Sequence, residues 1–248
     1  MKNKIVTLLR RRRIARTLGF EFWGIRLTCN PRWISVNGHR LPLTFPRTER
    51  RPFNPDLALV LMDDEYNVSG FDPKEIRTVV DIGANIGVFS LQAWRMFPNA
   101  RIDAYEPNRR IFIHAKHNLR MTGARIFRQA VSNHDGRCCL IDPGHSRSAY
   151  TIPSTFGKVP LTSVRTVMER AGGNVDLLKL DCEGSEWDIL SCESIRCARH
   201  ICMEYHLGAG HSSPQELTTM ADRMGFNVAR IRPKPDTHLG IAWLDRID

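Results

Sequence analysis

The sequence predicts an α/β fold, a doubly wound and mainly parallel sheet (Rossmann-like) carrying a small N-terminal appendage. Three observations support it. Residues 79–87, Val-Val-Asp-Ile-Gly-Ala-Asn-Ile-Gly, run from a β-branched strand through a glycine-bracketed loop into apolar positions of helical spacing (Val88, Leu91, Gln92, Trp94). Strand-like and helix-like segments alternate from there to the C-terminus. Two last strand-like segments, 227–231 and 239–244, lie close enough to pair antiparallel.

Taken in order, Ile5, Leu8 and Leu9 sit among Lys2, Lys4, Arg10–Arg13 and Arg16. That segment reads either as a basic helix with a short apolar stripe or as a solvated extension. Residues 33–36 and 39–43 flank Asn37-Gly38, a hairpin signal. Asn54-Pro55-Asp56 opens a helix expected to run through Leu57, Leu61 and Tyr66 to Ser69-Gly70. Strands are expected at 78–82, 101–105, 125–131, 138–141, 175–180, 200–204, 227–231 and 239–244. Helices are expected at 88–96, 109–121, 162–171, 185–190 and 214–224, and 142–160 reads as a long loop with room for short strand pieces. The expected division is a basic arm and hairpin over 1–55 and one domain over 56–248.

Composition excludes some classes. Hydrophobic residues make up 42% and charged residues 25%, the balance of an ordinary globular chain. No apolar run approaches the roughly 18 residues of a transmembrane helix. Ile5–Leu9 is too short for a secretory signal and runs straight into Arg10. The formal net charge is +10, but it is localised: residues 1–51 hold 13 Lys/Arg against 2 Asp/Glu, a net +11, and residues 52–248 hold 23 against 24, a net −1. A nucleic-acid enzyme concentrates positive charge beside its site, so nucleic acid is not the expected substrate. The basic arm instead suggests contact with an anionic membrane surface or an acidic partner. Seven cysteines without a Cys-x-x-Cys pair give no support for a metal site; read as reduced, they favour a cytoplasmic setting.

The loop after residue 82 has Gly-x-x-x-Gly spacing, short of the Gly-x-Gly-x-x-Gly of dinucleotide sites, which argues against a nicotinamide enzyme. Gly83 and Gly87 let a ligand approach the backbone, with Asn85 between them as a turn or cap residue at the cofactor. Asp81 would repel a pyrophosphate and suits a cationic cofactor such as S-adenosylmethionine, whose amine it would orient directly or through water. Glu106 ends the next strand, 25 positions on, where an acid bonds ribose hydroxyls. Ala130 and Val131 at the third strand end are placed to line the adenine.

Asp181 and Glu183 leave a buried strand just before Gly184, so both can face the crevice. They could hold substrate hydroxyls, ligate a cation or remove a proton; Glu183 and Glu186 also suit a helix N-terminus. His206, in Glu204-Tyr205-His206, ends the following strand and is a candidate base. His114 and His117 read as one helix face.

Together, Val-Asp-Ile-Gly-Ala-Asn-Ile-Gly (80–87), Tyr-Glu-Pro-Asn (105–108), Ala-Val-Ser-Asn-His-Asp-Gly (130–136), Leu-Lys-Leu-Asp-Cys-Glu-Gly-Ser-Glu (178–186) and Glu-Tyr-His (204–206) resemble the FkbM-type methyltransferases over roughly residues 75–232. The Asp-x-Glu-Gly-x-Glu stretch makes the resemblance specific; Cys182 stands where an aliphatic residue is more usual. The resemblance implies a class I methyltransferase fold, S-adenosylmethionine as donor and a hydroxyl of a small molecule or sugar as acceptor. An RNA methyltransferase using the basic arm, and a non-catalytic cofactor-binding module, are the alternatives.

Overall fold

Along buried strands, side chains alternate between two faces, and that alternation builds two cores here. The computed structural model describes residues 2–20, 30–47, 54–144, 149–208, 213–235 and 237–247. In β3 (Thr78–Ile82), Val79 joins one core while Val80 and Ile82 join the other. The same split recurs in β4 (Arg101–Tyr105), with Ile102 and Ala104 on one side and Tyr105 on the other. In β11 (Ala198–His206) it sets Cys202 against Ile201 and Met203.

One face is covered by α1 (Lys2–Thr17), α2 (Pro55–Leu59), α3 (Val88–Met96) and α4 (Arg109–Asn118), which contribute Ala15, Leu57, Leu91 and Ile111 to its core. The opposite face is covered by α5 (Val164–Arg170), α6 (Glu186–Leu190) and α7 (Pro214–Arg223), through Val167, Ile189 and Leu217. Each fully buried Leu, Ile or Val among these stabilises the fold by roughly 1.5–3 kcal/mol relative to exposure, and Ala15 by less.

The seven-stranded sheet has the order β12-β13-β11-β10-β3-β4-β5, with β5 at Arg125–Phe127, β10 at Val175–Leu180, β12 at Phe226–Pro233 and β13 at Leu239–Arg246. β11, β10, β3, β4 and β5 are parallel, and β13 pairs antiparallel with both β11 and β12. This is the doubly wound sheet with a closing antiparallel pair that the sequence predicts.

The N-terminal hairpin forms as expected, β1 (Trp33–Val36) against β2 (His39–Pro42), with positive φ at both Asn37 and Gly38. It is packed into the body: Ile34, Val36 and Leu41 belong to the same core as Val79 and Leu91. The basic N-terminal segment is helical in α1.

Several boundaries differ from the expectation. The helix opened by Asn54 ends at Leu59 and gives way to turns through Asp63, and positive φ at Asp64 and Asn67 bars any continuation to Gly70. Asp64 then caps a short 3₁₀ turn (Val68–Gly70), its carboxylate accepting from the amides of Val68 and Ser69. The strand expected over 125–131 breaks at Arg128-Gln129 into β5 and β6 (Ala130–Ser132).

β6 belongs to a second sheet of order β6-β9-β7-β8, formed with β7 (Gly136–Ile141), β8 (Tyr150–Pro153) and β9 (Val159–Ser163). The stretch 142–160 is therefore partly strand, although residues 145–148 lie outside the described residues. Residues 162–163 end β9 ahead of α5, and Ser163 caps that helix through Thr166.

Candidate functional site

The C-terminal ends of β3, β4, β10 and β11 open onto one cavity of about 360 Å³, roofed on one side by Leu140 and Thr151 of the small sheet. Brought together on its wall are Gly83, Asn85, Glu106, Ala130, Val131, Asp181, Glu183 and His206. Gly87 and Asp81 are not on that wall.

The loop after β3 is shaped by close approach. A Cβ on Gly83 would lie 1.7 Å from the carbonyl oxygen of Asp181, and its φ is +78°, so only glycine fits. Gly87 starts α3 at φ +89° against Leu119, a role in chain packing. Asn85 also has a positive φ, and its Oδ1 is buried without a hydrogen-bond partner among the described residues. An acceptor oxygen left without a donor on the wall of a cavity fits a ligand that brings a donor.

Glu106 is 7% exposed. Its Oε2 accepts from the Asn85 amide at 2.9 Å and its Oε1 from the Asn108 amide at 2.8 Å. Burial pushes its carboxyl up to about 7, against the pull of those two amides. Of the roughly four acceptor positions of a carboxylate, the amides occupy two, leaving two for ligand hydroxyls.

Asp81 is placed differently from the expectation. It is fully buried, with Oδ2 accepting from Ser90 at 2.6 Å and Oδ1 facing the Lys179 ammonium at 3.2 Å. Both oxygens thus have protein partners, and the Asp81 side chain supports Lys179 from beneath the cavity.

Lys179 donates to the Gly83 carbonyl at 2.6 Å and lies 3.6 Å from Asp181 Oδ2. Burial opposes its charge, but Asp81 and Asp181 outweigh burial and hold the ammonium above its usual range. Asp181 also accepts from the Tyr66 hydroxyl at 2.8 Å. Burial works against its ionisation, yet Lys179 and Tyr66 keep its carboxyl below the ordinary range. It is a committed anion and a poor proton acceptor.

His206 lies between two carboxylates, with Nε2 3.2 Å from Glu183 and Nδ1 3.5 Å from Glu186. Glu186 is itself buried and fixed by the amides of Cys182 and Gly184. Burial disfavours the imidazolium, but the two carboxylates push its pKa up to about 11. That environment favours the imidazolium at neutral pH, a form of His206 that has no free lone pair to act as a base. Glu183 is the reverse: burial raises its carboxyl, with the hydrogen bond from His206 limiting the rise.

Sequence reasoning missed part of the wall. Glu65 and Tyr66 lay hidden inside a helix expected to continue, and no signal marked them. Lys179 carried a signal, a lysine within an otherwise apolar strand. Glu204 was visible beside His206. It accepts from Lys234 at 2.7 Å, while burial and the Asp181 charge raise its carboxyl to about 7. Among the described residues, six carboxylates (Asp56, Glu65, Glu106, Asp181, Glu183, Glu204) share the wall with two cationic groups, Lys179 and His206. No group of three or more ligating side chains placed to hold a metal occurs among the described residues.

Comparison with known proteins places these motifs in context. Residues 81–228 match the methyltransferase FkbM domain family. The methyltransferase sdnD of Sordaria araneosa is 27% identical over 196 residues, covering 62% of this chain and 75% of that protein. Among solved structures, the mitomycin 7-O-methyltransferase is 15% identical with a TM-score of 0.42, covering 76% of this chain and 54% of its own. An S-adenosylmethionine-dependent methyltransferase from Aquifex aeolicus is 14% identical with a TM-score of 0.44, covering 77% and 94%. This chain thus spans little more than half the length of the first of these structures.

Proposed function

Since the chain belongs to the FkbM methyltransferase family, we propose that it transfers a methyl group from S-adenosylmethionine to a hydroxyl oxygen of a small molecule or sugar. The observation that carries this reading is the acidic lining of the cavity, six carboxyl groups (Glu106 and Glu204 among them only part-ionised near pH 7) against two cations among the described residues, at the strand ends where α/β folds take their ligands. Such a wall favours a cofactor bearing both an ammonium and a sulfonium and disfavours a pyrophosphate. When bound, that cofactor supplies an electrophilic methyl group.

The chain's own residues divide the remaining work. Glu106 accepts the ribose hydroxyls, its carboxylate held in place by the amides of Asn85 and Asn108. Asn85 Oδ1 takes a donor from the cofactor, and Ala130 and Val131 give the base an apolar wall. Lys179, locked between Asp81 and Asp181, ties the ends of β3 and β10 together and fixes the Gly83 loop. Alignment of the reacting atoms is the main contribution such a site makes.

Proton removal from the acceptor falls to the carboxylates, since His206 already carries its proton. Glu204 is best poised, on the cavity wall with Oε2 on Lys234 and a pKa of about 7. Glu183, ion-paired with His206, is the second candidate.

Isothermal titration with S-adenosylmethionine and with S-adenosylhomocysteine tests the cofactor. One-to-one binding of both, lost in Glu106→Ala, is expected; absence of binding to either would overturn the reading. Incubation of small-molecule and sugar acceptors with methyl-labelled donor tests the transfer. Label in RNA alone would overturn the acceptor class, and binding without transfer to any acceptor would mark a non-catalytic module.

A further inference from the structure

Helix α1 presents two unlike faces. Toward the body, Ala15 is buried, and Leu8, Arg11 and Ile14 are half-buried. Arg10 and Arg11 both pair with Asp63, Arg11 through Nε at 2.8 Å. Toward solvent, Val6 and Leu9 are 64% and 59% exposed, three residues apart and so neighbours on the helix surface. Arg12, Arg13 and Arg16 follow on the exposed side, and all three border one shallow depression with Leu9 and Thr17.

We propose that this outer face docks the protein on an anionic lipid surface, with Val6 and Leu9 entering the headgroup–acyl boundary and the three arginines meeting lipid phosphates. Charge complementarity is the first support: the first 51 residues carry a net +11, and the rest of the chain a net −1. The pairing of exposed aliphatic side chains with guanidinium groups on a helix already anchored to the body is the second. Asp63 pairs with both Arg10 and Arg11 and offsets one of their two charges, while Arg12, Arg13 and Arg16 lie on the exposed side.

A nucleic-acid partner fits less well. The exposed face of α1 offers aliphatic side chains and no aromatic ring on which a base could stack. The carboxylates of the cavity would also repel a phosphate-bearing chain led toward it. Asp63, the anchor of α1, stands only two and three positions before Glu65 and Tyr66 on the cavity wall.

The test is co-sedimentation of the full chain with phosphatidylcholine vesicles, with and without about 30 mol% phosphatidylglycerol. Retention only on the anionic vesicles is expected, weakening about tenfold or more as salt rises from roughly 0.1 to 0.5 M. The variant R12E/R13E/R16E is expected to fall to the neutral-vesicle level with an unchanged thermal melt, since none of the three side chains is buried. V6S/L9S, made independently, is expected to weaken retention at both salt concentrations. Equal partition onto neutral and anionic vesicles, or retention of R12E/R13E/R16E at the wild-type level, would overturn the proposal. Tighter binding to random-sequence RNA than to anionic vesicles at the same salt would reassign the face to nucleic acid.

Discussion

Glu106→Gln separates a ribose-binding carboxylate from a merely buried one. In the wild type only the ionised form offers both oxygens to hydroxyl hydrogens, and burial sets its pKa at about 7. Apparent affinity for S-adenosylmethionine then scales with the ionised fraction. That fraction rises about 16-fold between roughly pH 5.5 and 7, a range in which an amino-acid ammonium stays protonated. Gln can accept only one of the amides of Asn85 and Asn108 and turns a donor toward the other, so the variant also loses order around the loop. Each charge-assisted hydrogen bond lost costs roughly 1.5–3 kcal/mol, so affinity at pH 7 is expected to fall at least about tenfold.

The assay is isothermal titration of both proteins across that pH range. Glu204 titrates in the same window, so Glu204→Gln serves as the control: it keeps the pH dependence that Glu106→Gln removes. Wild-type affinity flat from pH 5.5 to 7, or Glu106→Gln binding as tightly as the wild type at pH 7, would refute the assignment. Linkage has the opposite sign for the ligand-free fold. The folded pKa of Glu106 lies above its unfolded value of 4.5, so its contribution to stability is fully present below pH 4.5 and is lost as pH rises through about 7.

Four further outcomes are expected. His206 should show no imidazole titration by NMR between about pH 5 and 8; its pairing with Glu183 and Glu186 should stabilise the fold fully below pH 6.5 and lose that contribution as pH rises through about 11. His206→Gln should accordingly lower the melting temperature more at neutral than at strongly alkaline pH, and equal losses would discount the ion pair. Lys179→Met should destabilise the fold by roughly 3–5 kcal/mol in chemical denaturation by leaving Asp81 buried and unpaired. Adding Asp81→Asn should recover part of that loss, and a double variant no more stable than the single would break the pairing argument. Gly83→Ala should cost more than about 4 kcal/mol or abolish folding, since its Cβ meets the Asp181 carbonyl; a soluble variant with wild-type melting would show that the two loops can separate.

Much of the site was legible because it lies in chain-local patterns. Gly83, Glu106, Asp181 and Glu183 sit at strand ends that periodicity alone locates, and all four reach the cavity. The small sheet was less legible. Its strand β6 is three residues long and continuous in sequence with β5 but for two residues, β9 carries Pro160 inside it, and β8 is mostly exposed, so no clean strand pattern separates them. The protonation of His206 was illegible because it depends on Glu183 and Glu186, some twenty residues away, converging on one ring.

From the order of its residues alone, this protein determines a doubly wound sheet, a glycine loop after β3 and acids at the ends of β4 and β10. Each of those features depends on neighbours along the chain, through alternation, backbone freedom and capping. What the tertiary structure decided is which acid does what. Asp81 is withdrawn into an ion pair with Lys179, and His206 is charged by two carboxylates. Glu204 is set near neutrality by burial, Asp181 and Lys234. Protonation is a property of the field at a point, and that field is summed from groups distant in sequence that only the packed fold brings together.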